Sequence, residues 1–389
     1  MLTPSSVVRL AMARVTPPAR WSAALSVAAL AAGCASSDPA PTRTASVVPP
    51  PAPGTFTASV DYDGFEKMGY RLAWTGSAVV SRGQRVQRAD VFGDGVVVLE
   101  TGHAVSFVQA DDGRTRWSTA LGNNLTRFVG NARHGDRVYV ASDIELFVLS
   151  AQTGDLLDKH PLAVVVDTPP VVADGAVFFG SPIGRVLAHD LRTGLERWQY
   201  QLEGPISAPP VLVGENVGVV SETGDVIVLD PERGTATMRA GVYGAPGGAP
   251  AGEDNVLAFA CMDQSAYAFN SRGGSRLWRY RTETSLDLPL TIFDGLAHFA
   301  VPGRGMVALD LLTGEEVWTA AGIEGKALGT ADGLVLVWDG MALHAIDERG
   351  ELVSTVDLPS AHRIMMPDPH GGELYIVTDH GAVARFSRI

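Results

Sequence analysis

The sequence predicts an all-β fold, an eight-bladed β-propeller of four-stranded antiparallel blades, from three observations. A glycine-containing turn motif recurs about every 40 residues through most of the chain. Each interval holds short apolar runs separated by glycine or Asp-Gly links, which is the pattern of successive hairpins. The 43 glycines and 24 prolines among 389 residues are spread along the chain and favour turns over long helices. Four strands in a unit of about 40 residues are typical of a propeller blade.

The N-terminal segment, residues 1–33, has the features of a lipoprotein signal peptide. Two arginines precede an apolar run at 21–32, which is too short to span a bilayer as a helix. The run leads into the sequence A-A-G-C, which resembles the lipobox of bacterial lipoproteins. We therefore expect Cys34 to be lipidated and to form the mature N-terminus. The alternatives are secretion after an A-x-A-type cleavage and, separately, a start at Met12 instead of Met1.

Residues 34–62 are rich in Pro, Ala, Ser and Thr and predict an extended tether between the lipid and the globular body, 63–389. With Cys34 acylated, the other cysteine, Cys261, has no disulfide partner and is interpreted as a buried small side chain. No Asp follows Cys34, so the enterobacterial signal for inner-membrane retention is missing. We expect a lipid-anchored protein of the cell envelope, on the periplasmic face of the outer membrane.

The charge of the chain argues against nucleic acid as a partner. The formal net charge is −13, and from Cys34 onward 27 basic residues face 43 acidic ones. Binding to a phosphate backbone requires clustered Lys and Arg that neutralise several phosphates. The expected partners are therefore other proteins of the envelope, together with the membrane that holds the N-terminal lipid.

The repeat is clearest in residues 188–198 and 308–318, which both read A-x-D-x-x-T-G-x-E-x-W. Residues 268–278 and 107–117 are two further copies. The turn glycines lie at 113, 154, 194, 234, 274, 314 and 350, with gaps of 41, 40, 40, 40, 40 and 36 residues. Such regular spacing indicates that one structural unit is repeated along the chain.

Each recurring residue type has a structural reason to be there. Glycine provides the positive φ of a tight turn, and Asp or Asn can bond the turn backbone. The tryptophan, four residues after the glycine, is expected on the outer strand, where it faces the next unit and serves packing and not ligand stacking. The residues assigned this structural role are Asp190, Gly194, Trp198, Asp230, Gly234, Asn270, Gly274, Trp278, Asp310, Gly314 and Trp318.

Two fragments at the ends of the body predict how the ring closes. Residues 362–389 provide the first strands of a further unit, and residues 69–74 resemble its missing outer strand with a tryptophan. Joining them in one blade closes the ring and removes its sheet edges. The 325 residues from 65 to 389 then give eight units of about 41 residues. Seven blades with a loose terminal strand is the alternative.

The A-x-D-x-x-T-G-x-E-x-W repeat resembles the tryptophan-docking repeat of quinoprotein-like (PQQ-like) eight-bladed propellers, over nearly everything after the tether. One branch of that superfamily, the quinoprotein dehydrogenases, stacks its cofactor on a Trp against a vicinal disulfide, beside a calcium ion and a catalytic Asp. This chain has no adjacent cysteines. The cofactor site of the dehydrogenases is therefore incomplete in this chain. A quinone-dependent or other small-ligand-binding oxidoreductase is kept as the alternative function.

The other branch comprises the BamB-type propeller lipoproteins of the outer-membrane β-barrel assembly machinery. The chain is similar to them in its signal peptide, lipobox, tether, length and number of blades. This resemblance implies a non-enzymatic, lipid-anchored scaffold for protein–protein interaction, with the barrel-assembly machinery as a partner and without a cofactor. The sequence also has no H-E-x-x-H, G-x-S-x-G or P-loop motif and no His or Cys spacing of a metal site. We predict no catalytic and no metal-binding residues.

Overall fold

The computed structural model describes residues 60–123 and 125–389, which form eight four-stranded antiparallel sheets arranged around one axis. They begin with the short helix α1 (Tyr62–Lys67), followed by β1 (Tyr70–Ser77). The predicted signal peptide 1–33, the lipidation site Cys34 and nearly all of the predicted tether lie outside the described residues. Within the described residues, no helix has the length and hydropathy that crossing a membrane would require.

Blades 1 to 4 follow β1, and each consists of four consecutive strands. Blade 1 contains β2 (Val86–Phe92), β3 (Gly95–Glu100), β4 (Ala104–Gln109) and β5 (Thr115–Ala120). Blade 2 contains β6 (Phe128–His134), β7 (Arg137–Ser142), β8 (Glu145–Ser150) and β9 (Leu156–Pro161). Blade 3 contains β10 (Val171–Ala173), β11 (Ala176–Gly180), β12 (Arg185–Asp190) and β13 (Glu196–Gln201). Blade 4 contains β14 (Val211–Val213), β15 (Asn216–Val220), β16 (Asp225–Leu229) and β17 (Ala236–Gly241).

Blades 5 to 7 repeat this plan, and blade 8 takes its fourth strand from the N-terminal end of the propeller. Blade 5 contains β18 (Ala251–Glu253), β19 (Val256–Cys261), β20 (Ser265–Asn270) and β21 (Arg276–Arg281). Blade 6 contains β22 (Thr291–Phe293), β23 (Leu296–Val301), β24 (Gly305–Asp310) and β25 (Glu316–Ala321). Blade 7 contains β26 (Lys326–Ala331), β27 (Leu334–Trp338), β28 (Ala342–Ile346) and β29 (Leu352–Asp357). Blade 8 contains β30 (Ala361–Met365), β31 (Leu374–Thr378), β32 (Ala382–Arg388) and β1.

The ring closes through β1 and β32, which pair antiparallel from Tyr70 opposite Arg388 to Ser77 opposite Ala382. The prediction of eight blades closed by pairing of the two ends is confirmed, and the seven-blade alternative is wrong. Helix α1 packs beneath this junction, where the ring of Phe65 stacks on Phe386 with centroids 4.0 Å apart.

The core lies between blades. Within the described residues, eight hydrophobic clusters each join two neighbouring blades around the ring. The second strand of a blade is covered on both faces by its neighbours, so β3 and β19 are buried along their whole length. This is why these strands have continuous apolar sequences such as V-V-V-L, without the alternation of a half-exposed strand.

Alternation of strand direction gives the ring two distinct faces. The hairpins joining first to second strands, and the glycine turns joining third to fourth strands, lie on one side, here called the glycine-turn face. The hairpins joining second to third strands, and the links from each blade to the next, lie on the other side, here called the connection face. First strands line the axis and all run from the connection face to the glycine-turn face.

Candidate functional site

The predicted turn residues form a set of hydrogen-bonded caps on the glycine-turn face. Oδ1 of Asp190 accepts from the backbone N–H groups of Thr193 at 2.8 Å and Arg192 at 3.1 Å. Equivalent backbone bonds of 2.8–2.9 Å reach the side chains of Asp230, Asn270 and Asp310. The turn glycines Gly194, Gly234, Gly274 and Gly314 have φ between +69° and +73°. At these turns the Asp and Asn side chains are occupied in capping the backbone.

Arg197 adds an ion pair to one of these turns. Its guanidinium reaches Asp190 at 2.8 Å and Asp174, in the first hairpin of the same blade, at 2.9 Å. The hydrogen bond from Arg197, supported by those from Thr193 and Arg192, holds the pKa of Asp190 well below its usual range. Asp190 is therefore ionised at neutral pH and bound to the turn.

The tryptophans of the repeat lie between blades. Nε1 of Trp198 donates to the carbonyl of Pro231 in the next blade at 3.0 Å, and Nε1 of Trp278 donates to the carbonyl of Leu311 at 2.8 Å. Trp318 is buried, 6% exposed, between blades 6 and 7. Among the described residues, no repeat tryptophan lines the central cavity. Their surroundings are those of packing residues.

Blades 2, 4 and 7 have Asp158, Met238 and Ser354 at the tryptophan position of the repeat. In blade 2 the side chain that packs on the turn glycine of the next blade, Gly194, is instead His160. Nδ1 of His160 lies 3.1 Å from Nε2 of His189, and its Nε2 lies 3.1 Å from the carboxylate of Asp158. Burial, with a smaller contribution from His160, lowers the pKa of His189 to about 4. In blade 4 the position is held by Met238, which is buried. In blades 2 and 4 an imidazole and a thioether therefore pack on the next blade's turn glycine, Gly194 and Gly274, where other blades use an indole.

A cavity of about 830 Å³ lies on the axis of the ring. First strands from blades all around the ring contribute to its wall, together with the residues that precede several of them. The wall from blades 3 to 6 is apolar or neutral, whereas blades 7, 8 and 1 contribute Lys326, Arg363 and Arg88. This channel is a concave feature of a size that could hold a small ligand.

The connection face carries exposed apolar side chains at hairpin tips and links of separate blades. Their exposed fractions range from 45% to 93%. They include Leu125 between blades 1 and 2, Ile144 in blade 2, Val165 between blades 2 and 3, Ile183 in blade 3, Tyr243 between blades 4 and 5, Met262 in blade 5 and Met341 in blade 7. The glycine-turn face also exposes apolar side chains such as Leu195 and Leu312, so the connection face is distinguished by Tyr243 and its two methionines, residue types that are enriched at interfaces.

The free cysteine, Cys261, is buried and unreactive. Burial raises the pKa of the Cys261 thiol to about 12, so the thiol stays protonated at neutral pH. Within residues 60–123 and 125–389, no three His, Cys, Asp or Glu side chains come together in a way that could hold a metal ion.

The comparisons with known proteins agree with this architecture. A family model described as "Outer membrane protein assembly factor BamB" matches residues 71–194 and 182–388. The chain belongs to this family. The resemblance to BamB-type, PQQ-like propellers inferred from the repeat is thereby confirmed.

Several curated relatives carry the same description. A protein of Nitrosomonas eutropha named outer membrane protein assembly factor BamB is 30% identical over 157 residues, 38% of this chain and 37% of that protein. The protein of the same name from Kangiella koreensis is 28% identical over 221 residues, 55% of this chain and 46% of that protein. The chain thus spans less than half the length of these two relatives. Their names do not favour the oxidoreductase alternative.

A solved structure supports the fold independently. The crystal structure of BamB from Moraxella catarrhalis superposes with a TM-score of 0.64 at 20% sequence identity. The superposition covers 80% of this chain and 97% of that structure. At this low sequence identity, the superposition shows that the two proteins share a fold.

Proposed function

We propose that this chain is a lipid-anchored scaffold without catalytic activity that serves outer-membrane protein assembly. The observation that carries the proposal is the family match across the propeller, because the relatives in that family are named as assembly factors. The lipobox-like sequence at Cys34 supports an anchor, and the tether at 34–62 would hold the propeller away from the membrane surface. The location that follows is the periplasmic face of the outer membrane.

The connection face is the surface that we propose for the protein partner, a component of the barrel-assembly machinery. Its apolar side chains project from different blades, so one partner could contact several at once. Tyr243 has 93% of its surface exposed, and large exposed aromatic and Met side chains are enriched at interfaces. The closed ring fixes the spacing of these groups, which lowers the entropy lost on binding. Nucleic acid is not proposed as a partner, because the net charge is −13.

The test is co-purification of the full chain from detergent-solubilised membranes, with the anchor in place. The native chain should recover proteins of the barrel-assembly machinery in stoichiometric amounts. A variant carrying Tyr243→Ser and Met262→Ser should lose most of that recovery. Leu195→Ser with Leu312→Ser is the matched control, because both residues are 66% exposed and lie on the glycine-turn face.

Two outcomes would contradict this function. Recovery of no assembly protein by the native chain would remove the assembly role. A stoichiometric quinone or another redox-active chromophore in the purified chain would favour the oxidoreductase. If both double variants lost recovery equally, the connection face would be the wrong surface even though the assembly role stood.

A further inference from the structure

We propose that the central channel binds a small oxyanionic ligand, a molecule bearing a phosphate or carboxylate group, at Arg88, Lys326 and Arg363. This cationic cluster, defined by those three residues, lies on the wall of the 830 Å³ cavity. The site lies inside the channel, and its residues are not among those of the connection-face surface proposed for a protein partner. It therefore does not depend on the assembly role.

The cluster is built by neighbouring first strands. Lys326 is the first residue of β26 in blade 7, and Arg363 and Arg88 are each the third residue of β30 and β2 in blades 8 and 1. These strands run in the same direction along the axis, so all three cations lie toward the connection-face end of the channel. The structure thus brings together residues from both ends of the propeller sequence.

Local irregularities in these strands help place the cations. The pairing of β2 shifts register between Val86 and Arg88, and the pairing of β30 shifts between Ala361 and Arg363. A bulge re-aims the side chain beside it. The first strands of blades 3 to 6 are three residues long and have regular pairing. The channel is therefore asymmetric, with a basic arc on one side only.

The cluster has more positive charge than its partners neutralise. Arg88 binds Asp90, with Nη2 to Oδ1 at 3.0 Å, and Asn131 donates to the same carboxylate at 2.9 Å. Arg363 reaches Asp90 only at 3.4 Å. Within the described residues, Lys326 has no ion-pair partner within 4 Å. Among the described residues, Asp90 is thus the one carboxylate paired with members of the cluster, and it pairs with two of the three cations. The cluster is locally positive, although the net charge of the chain is −13.

Other charged groups of the channel do not correct this imbalance. Arg133, near the opposite end, pairs with Asp94, which also holds Arg116. His362 pairs with Asp379 at 2.8 Å. These side chains have their own partners, so the excess charge remains at the cationic cluster.

The unmatched charge of the cationic cluster has an energetic cost. Enclosure by the channel walls, together with the charges of Arg363 and Arg88, lowers the pKa of Lys326. Enclosure by the channel walls likewise lowers the pKa of Arg363, whose side chain remains 39% exposed to the channel. A bound oxyanion would offset this repulsion through charge-assisted hydrogen bonds, which are among the stronger hydrogen bonds in proteins.

The opposite wall indicates what else the ligand carries. Val172, Val211, Ala251 and Ile292 come from blades 3 to 6 and line the same cavity. A cavity of about 830 Å³ is much larger than a phosphate ion and within the range of small-molecule sites. A ligand with an anionic head and an apolar body would contact both walls. A bare anion would use the cationic cluster alone.

Calorimetry on the purified full chain tests the site with three probes: inorganic phosphate, acetate and octanoate. Saturable binding of phosphate or of a carboxylate is expected at neutral pH and low salt. Tighter binding of octanoate than of acetate would show that the apolar wall contributes. Lys326→Gln and Arg363→Gln should each weaken binding about tenfold, the effect of losing one charged hydrogen bond. Arg192→Gln, in a glycine turn outside the channel, is the matched control and should bind as the native chain does.

Lysine acylation gives a second readout that does not depend on the heat of binding. The chain has three lysines, Lys67, Lys159 and Lys326. Octanoate or phosphate should slow acylation of Lys326, measured by mass spectrometry, and leave Lys67 and Lys159 unchanged. Absence of saturable binding by all three probes would overturn the proposal. So would equal weakening by Arg192→Gln, or unchanged acylation of Lys326 at saturating ligand.

Discussion

Trp198 of blade 3 occupies the space that a side chain on Gly234 of blade 4 would need. A Cβ built on Gly234 would lie 2.5 Å from Cδ2 of the indole. The same relationship joins other neighbouring blades, through the pairs Trp74 with Gly113, Trp117 with Gly154 and Trp278 with Gly314. The glycine therefore has two functions, a positive φ in its own turn and a docking place for the preceding blade's tryptophan.

The first prediction separates these two functions of glycine. Gly234→Ala and Gly295→Ala both introduce a Cβ at φ +69°, but the one at Gly295 meets no atom within 4 Å. Both should lose stability through backbone strain, about 1 kcal/mol. Gly234→Ala should lose about 1–3 kcal/mol more, because the methyl group overlaps the indole. Urea unfolding of the two variants measures the difference, and equal losses would show that the indole moves away at no cost.

The second prediction concerns Trp318, which is 6% exposed. Trp318→Ala should destabilise the propeller by about 3–5 kcal/mol through lost contacts and a cavity, while partner affinity per folded molecule stays the same. Trp198→Ala should cost less, because Trp198 is half-buried. Leu312→Ala, at an exposed turn, is the control and should be nearly neutral. Undiminished thermal stability with lost binding would instead make Trp318 part of a binding site.

The third prediction tests the closure of the ring. Ending the chain at residue 381 removes β32, which pairs with both β31 and β1, and should lower the melting temperature of the whole domain. Deleting residues 35–55, within the predicted tether, should leave the melting temperature nearly unchanged. Calorimetry of both variants gives the comparison. The opposite order of effects would mean that the junction of β1 and β32 does not hold the ring together.

The sequence predicts the fold well because the blade contacts are periodic. A glycine and a tryptophan at fixed spacing reveal the docking of one blade on the next, and the terminal fragments reveal the closure. The sequence does not predict that His160 packs on Gly194, because His160 lies two residues beyond the tryptophan position of the repeat. The sequence does not reveal the cationic cluster either, because its residues are far apart along the chain. Arg88 and Lys326 lie 238 residues apart, and only ring closure with register shifts in the first strands brings them to one wall.

The fourth prediction addresses the membrane anchor. Cys34→Ser removes the only thiol in the lipobox-like sequence, so the chain should lose its lipid and leave the membrane fraction, or remain unprocessed. Fractionation and the mobility of the mature chain on a gel provide the measurement. Cys261→Ser serves as the control, because that thiol lies buried in β19 and should leave membrane partition unchanged. Unaltered mobility and partition after Cys34→Ser would exclude lipidation at this residue.

The fifth prediction is a loss of stability in acid that is caused by a buried histidine. His298 stacks on Phe293 with centroids 3.9 Å apart, and burial lowers its pKa to about 4. Because this pKa is below that of the unfolded chain, about 6.5, the unfolded state binds the proton first. The stabilising contribution is complete above pH 6.5 and is lost as the pH falls toward 4, by about 1.4 kcal/mol per pH unit.

His298→Phe keeps an aromatic ring against Phe293 and removes the titrating group. Urea unfolding at pH 7.5 and pH 5 should therefore show a smaller difference in this variant than in the native chain. Part of the acid sensitivity should remain, because His189 is also buried with its pKa lowered to about 4. His134→Asn, which replaces an exposed histidine at a strand end, is the control and should retain the native difference. An unchanged difference in His298→Phe would mean that His298 takes up no proton on unfolding between these two pH values.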